Sequence, residues 1–354
     1  MKKIIFSICL AALAVGCTKT EVNYTEPDQI AFAPVASNVT KAALGAGAVP
    51  TSDLIVSAFA GESDDQTTYT DPYFKNVQFT DSDKDGVFEA TGYFWPNVKK
   101  LTFAGITKSA GFNTTLDPAS SVSIYDAAST NDADKFILYN YYQTHVGAEH
   151  NDLMWFDRTA PAGKPTANDT EAKSVTMHHA CSWLVFKFKG DGTAANTKRP
   201  WKITEVKIVG LAKYGTVTLA PNFEWEVSST TADFLVDDTE TALSATYTPK
   251  PTSIIVIPQT PAKLSVTYNY VSQFGPNDNV ETDDIVITET AVVDLDFAGT
   301  AKWQAGTKYT YDITLTATGI KLVPKASTWV DYDSDTTNKD DNDDPIIDNI
   351  PETI

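Results

Sequence analysis

The sequence predicts an all-β protein built from two tandem antiparallel β-sandwiches. Three observations carry that prediction. Short runs rich in Val, Ile, Thr, Tyr, Phe and Trp recur along the body of the chain, with Pro and Gly closing them. Several alternate between apolar and polar residues, most clearly 202–209 (KITEVKIV) and 309–316 (YTYDITLT), so each presents one apolar and one wetter face. Between two such series lies 160–173 (APAGKPTANDTEAK), polar, rich in Pro and Gly and without periodicity, which reads as a boundary. The expected sandwiches occupy residues 42–162 and 172–330.

In order along the chain, strands are expected at 54–60, 77–80, 94–95 and 100–106 in the first sandwich. Those of the second are 174–177, 184–189, 202–209, 216–219, 253–257, 263–270, 284–290 and 309–316. Pro96, Gly190, Gly210, Pro221, Pro249, Pro258, Gly275 and Gly299 stand where a ladder can end without losing bonds it needs. One stretch, 124–140, fits a helix as well as a loop or strand, because Asp126-Ala127-Ala128 precedes an apolar run.

The two ends differ from this body. Residues 1–17 read MKKIIFSICLAALAVGC, in which two lysines precede a short apolar run that closes on Gly16-Cys17. The run is too short to span a bilayer, and a small residue directly before cysteine is the ending of a bacterial lipoprotein signal. Residues 1–16 are therefore expected to be removed and Cys17 to carry lipid. Several acyl chains anchor stably where one is marginal, since each buried methylene contributes about 0.8 kcal/mol. Residues 17–41 form an arm with a weak strand signal at Gln29-Ile30-Ala31-Phe32, followed by the pliable AALGAGAVP. The tail, 331–354, carries nine carboxylates against one lysine, yet contains Ile346, Ile347, Ile350 and Ile354. That is more aliphatic bulk than a solvating tail requires, and such a segment can add to another molecule's sheet.

Composition bounds the function classes. The chain has 354 residues and a net charge of −19, which argues against nucleic acid and anionic membrane surfaces as partners. Its three cysteines are Cys9 in the signal, Cys17 at the lipid site, and Cys181, so no intramolecular disulfide is expected and Cys181 reads as a small core residue. Catalysis finds little support: His178 and His179 are adjacent on a strand and point to opposite faces, and His145 and His150 match no zinc spacing. The sequence has no HExxH, no Gly-x-Ser-x-Gly elbow and no phosphate loop. No enzymatic activity and no cofactor are expected. The one ion-like motif is Asp81-Ser82-Asp83-Lys84-Asp85-Gly86, whose carboxylates at alternate positions match the front of a calcium loop. Gly92 stands where the closing Glu is needed, and Asp85-Gly86 between apolar runs is a hairpin signal, so a turn is preferred over a calcium site at Asp81, Asp83 and Asp85. Tyr139, Tyr141, Tyr142, Trp155, Trp225 and Trp303 could stack on sugars, but aromatics are the ordinary filling of a sandwich core.

A family resemblance rests on a series of segments in order: Gly92-Tyr93-Phe94-Trp95-Pro96, Leu101-Thr102-Phe103-Ala104-Gly105, Asp152-Leu153-Met154-Trp155, and 178–188 (HHACSWLVFKF). It continues through Ile255-Val256-Ile257-Pro258-Gln259 and 302–311 (KWQAGTKYTY), with Trp329 downstream. Together they resemble the fimbrillin-type pilin lipoproteins of Bacteroides and its relatives. The resemblance implies two transthyretin-like sandwiches in a lipoprotein precursor carried to the outer membrane and cell surface. It also implies that a trypsin-like protease removes the arm with its first strand, at an Arg in a Thr-Arg-Ala context, and that the emptied groove accepts a strand from another subunit. The matching residues here are Val39-Thr40-Lys41-Ala42, with lysine in place of arginine, which leaves an uncut anchor subunit as the alternative. The expected partners are other copies or related pilins, membrane lipid through Cys17, and a host or bacterial surface receptor. Strand exchange would involve Ile30 and Phe32, whose removal with the first strand exposes the accepting groove, and Ile346, Ile347 and Ile350 in the preferred donor segment. The rival reading is a surface lipoprotein that binds glycans or acts as an adhesin without polymerising, with Ile30 and Phe32 as an ordinary first core strand.

Overall fold

The computed structural model describes residues 29–36, 53–61, 71–96, 100–107, 136–142, 145–146, 149–150, 153–156, 163, 172–196, 198–220, 223–247, 252–275, 284–296 and 301–328. The fold is all-β, with no helix among these residues. In chain order the strands begin with β1 (Gln29–Ala36), β2 (Leu54–Gly61), β3 (Asp71–Phe79), β4 (Phe88–Phe94), β5 (Lys100–Thr107), β6 (Phe136–Tyr142), β7 (His145–Val146), β8 (Glu149–His150), β9 (Met154–Phe156) and β10 (Lys173–His179). They continue with β11 (Ser182–Gly190), β12 (Lys202–Ala212), β13 (Tyr214–Ala220), β14 (Glu224–Val227), β15 (Thr231–Asp237), β16 (Thr241–Ala242), β17 (Thr252–Val256), β18 (Lys263–Gln273), β19 (Ile285–Asp294), β20 (Thr307–Thr316) and β21 (Gly319–Thr328).

Seven strands form one sheet in the order β3-β2-β5-β9-β10-β1-β4. Its two ends meet: Thr80 and Glu89 exchange backbone hydrogen bonds of 2.9 and 3.0 Å, so the sheet folds back on itself. Inside lies a core that includes Ile30, Phe32, Leu54, Val56, Phe79, Phe88, Phe103, Phe156 and Met177. A second pair of sheets is ordered β17-β11-β20-β21 and β15-β12-β18-β19, with β16 added beside β12. Their apolar faces share a core built around Leu184, Phe186, Ile208, Val266, Trp303, Tyr311 and Ile313. Trp303 donates its indole N–H to the Tyr311 hydroxyl at 2.8 Å, and that hydroxyl donates to the Leu295 carbonyl at 3.1 Å. These buried polar groups are thereby satisfied, and burial raises the Tyr311 pKa well above the ordinary tyrosine value.

A third cluster joins the two. β2 reads LIVSAFAG, and such an unbroken apolar run suits a strand covered on both faces. Leu54, Val56 and Ala58 face the first core, while Ile55 and Phe59 pack with Ile106, Ala180, Cys181, Val217, Trp225 and Ile257. Cys181 is buried there outside any disulfide, the small core residue the sequence suggests. β13 and β14 form a short sheet with β6, and β7 pairs β8.

The structure adds strands that the sequence reading does not name, β7, β8, β9, β14, β15 and β16, and departs from it further as follows. The helix alternative for 124–140 fails over 136–140, which belong to β6; FILYNYY is aromatic and branched, and its ladder to β13 satisfies the backbone. The ladder does not end at Gly210: β12 runs on to Ala212, and Gly210 (φ 82°) absorbs a bulge between Ile208 and Leu211 that only a residue free of Cβ takes without strain. Residues 173–179, placed by the sequence at the start of the second sandwich, hydrogen-bond as β10 to β1 and β9 of the first sheet. Finally, β21 forms a ten-residue strand where none is expected.

Candidate functional site

The residues singled out for strand exchange that the structure describes, Ile30 and Phe32, lie in β1. This strand sits inside the seven-stranded sheet, parallel to β10 on one side and antiparallel to β4 on the other. With β10 the register runs from Phe32 opposite Lys173 to Ala36 opposite Met177. With β4, Gln29 lies opposite Phe94 and Phe32 opposite Phe88, with a register shift between Gln29 and Ala31. The Gln29 side-chain amide donates an N–H to the Ala90 carbonyl at 3.1 Å.

Alternation along β1 decides what enters the core. Ile30 and Phe32 are both 0% exposed, whereas Gln29 is exposed and Ala31 half-buried. The Phe32 ring stands edge-on to Phe79 (centroids 5.0 Å apart) and to Phe103 (5.1 Å), and tilted against Phe156 (5.9 Å). Edge-to-face contacts at these distances add about 0.5–1.5 kcal/mol per pair beyond area burial. One further close approach fixes the neighbourhood: a Cβ on Gly105 of β5 would lie 2.4 Å from the Phe156 ring, so that ring reaches Phe32 only because position 105 is glycine. Without β1 the site is an apolar slot, bounded by the edges of β10 and β4 and floored by aromatic rings.

Cys17, Lys41, Ile346, Ile347 and Ile350 lie outside the described residues. The structure therefore describes the strand expected to leave, and not the donor segment or the processing position.

The Asp81 loop connects β3 to β4. Carboxylate oxygens of Asp81, Asp83 and Asp85 all lie within 4.8 Å of one another, the only such cluster of potential metal ligands among the described residues. Asp81 is already engaged as a turn former, accepting the Asp85 and Gly86 N–H groups at 3.1 Å each. Asp85 in turn accepts from Val87 N–H at 2.8 Å. Lys84 (φ 63°) and Gly86 (φ 87°) take the left-handed conformation that a tight reversal needs. The strands meet only through the Thr80–Glu89 bridge, so this is a carboxylate-tied turn rather than a two-residue hairpin.

The remaining candidates resolve as structure. His179 is 6% exposed and His178 lies against the Trp155 ring at 5.4 Å, so the pair does divide between faces. Trp303 is 0% exposed, and Trp225 is 7% exposed with its indole N–H given to the Ala180 carbonyl at 2.7 Å. Neither offers a face to a sugar. Trp155 is stacked on Phe223 at 5.0 Å. The side chains of Tyr139, Tyr141, Tyr142, His145 and His150 lie outside the described residues. Sequence reasoning missed Arg199 and Asp284, which form an ion pair at the mouth of the second sandwich; Gly275 N–H also donates to Asp284, and these bonds hold its pKa below the ordinary carboxylate value. No local signal links residues 85 positions apart.

The comparisons with known proteins agree with this architecture. A fimbrial protein from Bacteroides vulgatus ATCC 8482 superposes with a TM-score of 0.50 at 15% identity, covering 85% of this chain and 99% of that one. A candidate cell adhesion protein from Bacteroides uniformis ATCC 8492 gives a TM-score of 0.50 at 15% identity, covering 86% of this chain and 100% of that one. At such identity the likeness concerns the fold. No curated protein shows significant sequence similarity. The fimbrillin-like family profile, however, matches residues 40–329, most of the sequence. The chain therefore belongs to the fimbrillin-like family.

Proposed function

We propose that this protein is a pilus subunit, exported as a precursor lipidated at Cys17, and assembled by strand complementation after the arm bearing β1 is removed at Lys41. Family membership makes it a non-enzymatic protein with a fimbrial, adhesive role at the cell surface, where it associates with other fimbrial subunits. The finer reading rests on one observation: β1 lies inside a sheet, bonded to β10 and β4 on its two flanks, with Ile30 and Phe32 fully buried. A strand so placed leaves behind two unpaired ladder edges and an apolar slot when it is lost, and an open edge of this kind takes up a replacement strand. Each large apolar side chain inserted contributes about 1.5–3 kcal/mol, so a donor carrying Ile346, Ile347 and Ile350 supplies substantial affinity.

The extent of the family match supports this division, since residues 40–329 leave out both β1 and the tail. We place the division between the two sandwiches near Ala180, after β10, where the chain passes from the first sheet to β11. In the test, electron microscopy is combined with N-terminal sequencing of surface-sheared protein. Filaments whose subunits begin at Ala42 are expected, and these are lost on deletion of 344–354. An intact lipidated monomer on the surface, or filaments unchanged by the deletion, would overturn the proposal.

A further inference from the structure

Sheet edges in this protein are not alike. β3, one end of the first sheet in hydrogen-bond order, carries Pro72, Lys75 and the left-handed Asn76 (φ 49°). β21, at the edge of the four-stranded sheet, carries Lys321, Pro324 and Lys325. Lysine, proline and irregular backbone are the devices that keep an edge from pairing with another chain. β19 has no lysine or proline, and its ladder is regular from Asp294 to Val286, with one register shift beside Ile285. It closes the five-stranded sheet with β18 as its single ladder partner among the described residues, and its ten residues, IVITETAVVD, include no Lys, Arg, Pro or Gly. Ile285 and Val286 are each 53% exposed, Ile287 37% and Val292 57%.

We propose that β19 is a self-complementary edge that pairs antiparallel with β19 of a second copy, joining two five-stranded sheets into one. Only two face-matched registers pair nine residues of the strand, and its sequence favours one of them. A two-fold axis perpendicular to the sheet keeps faces matched, so opposed residues must share a face. Centring the axis on Glu289 would set carboxylate against carboxylate, which is destabilising. Centring it on Thr290 opposes Thr290 to itself, Thr288 to Val292, Ile287 to Val293, Glu289 to Ala291 and Val286 to Asp294, with no like charges facing.

The strand's carboxylates already have partners within their own copy. Glu289 accepts from the Tyr268 and Tyr270 hydroxyls at 3.2 and 2.9 Å, and Lys263 lies 3.3 Å from Asp294. A second copy brings two carboxylates to the joint, Glu289 and Asp294, neither directly opposite a like charge. The tail, with nine carboxylates against one lysine, would bring many and is disfavoured as the occupant.

Cysteine cross-linking of the full-length chain on cells, read on non-reducing gels, tests the pairing. Opposed residues have Cβ atoms about 4.5–5.5 Å apart, within reach of a disulfide, so Thr290→Cys should give a covalent dimer on mild oxidation. Thr288→Cys should not, because its twin lies four residues along the strand, about 13 Å away. Val292→Lys added to Thr290→Cys should cut the dimer at least tenfold, and removal of 331–354 should leave it unchanged. The proposal is overturned by absence of the Thr290→Cys dimer, by equal cross-linking at position 288, by insensitivity to Val292→Lys, or by a cross-link that disappears with the tail.

Discussion

At Phe32 a single side chain organises a core. Its ring touches Phe79, Phe103 and Phe156, three residues brought from β3, β5 and β9. Phe32→Ala should destabilise the intact chain by about 3–5 kcal/mol in chemical denaturation, the ordinary cost of removing a fully buried aromatic. A loss below about 1 kcal/mol would mean that β1 does not anchor the first core. Trp303 and Tyr311 fail differently. Tyr311→Phe leaves the buried Trp303 N–H without its acceptor, and about 1–3 kcal/mol should be lost although the ring volume is kept. Asp284 contributes through charge. Its pKa is lowered first by the Gly275 N–H and then by Arg199, so its contribution is present at neutral pH, above the unfolded value, and is lost as pH falls through the folded one. An Arg199→Gln variant should therefore melt below the native chain at neutral pH, with the gap narrowing under acid conditions below the usual carboxylate range.

Among the elements, β1 and β19 make an instructive pair. Both are extended and apolar, but β1 is enclosed on two flanks and β19 on one. Ile30 and Phe32 were recognisable as a strand from their alternation, whereas the flanks are contributed by residues about 60 and 140 positions away, beyond any local pattern. Gly210 was recognised as a breaker and is instead a bulge inside β12, because the partner β15 is present to bridge it. The Asp81 turn carries its own prediction. Asp81 already accepts two backbone N–H groups, so the loop closes without an ion, and calcium should leave the melting temperature unchanged. A calcium-dependent rise that Asp83→Ala removes would instead assign Asp81, Asp83 and Asp85 as ligands.

For the molecule as a whole, the proposed assembly follows from where sheets would be incomplete. Loss of β1 would open the first sheet in its interior, while β19 has a ladder partner on one flank among the described residues. These lead to different associations: interior replacement by a donor strand is lengthwise in the proposed pilus, and marginal pairing is between like edges. The amino-acid sequence by itself determined the all-β class, most strand positions, the apolar identity of Ile30 and Phe32, and the burial of Cys181. Those are consequences of period, composition and local backbone preference, which are written over a few consecutive residues. Only the tertiary structure decided that β10 belongs with the first sheet, that Trp225 and Trp303 are core rather than surface, and that β19 has one ladder partner among the described residues. Pairing and burial are relations between segments far apart in the chain, and the same alternating strand serves equally in the middle of a sheet or at its edge until its neighbours are known.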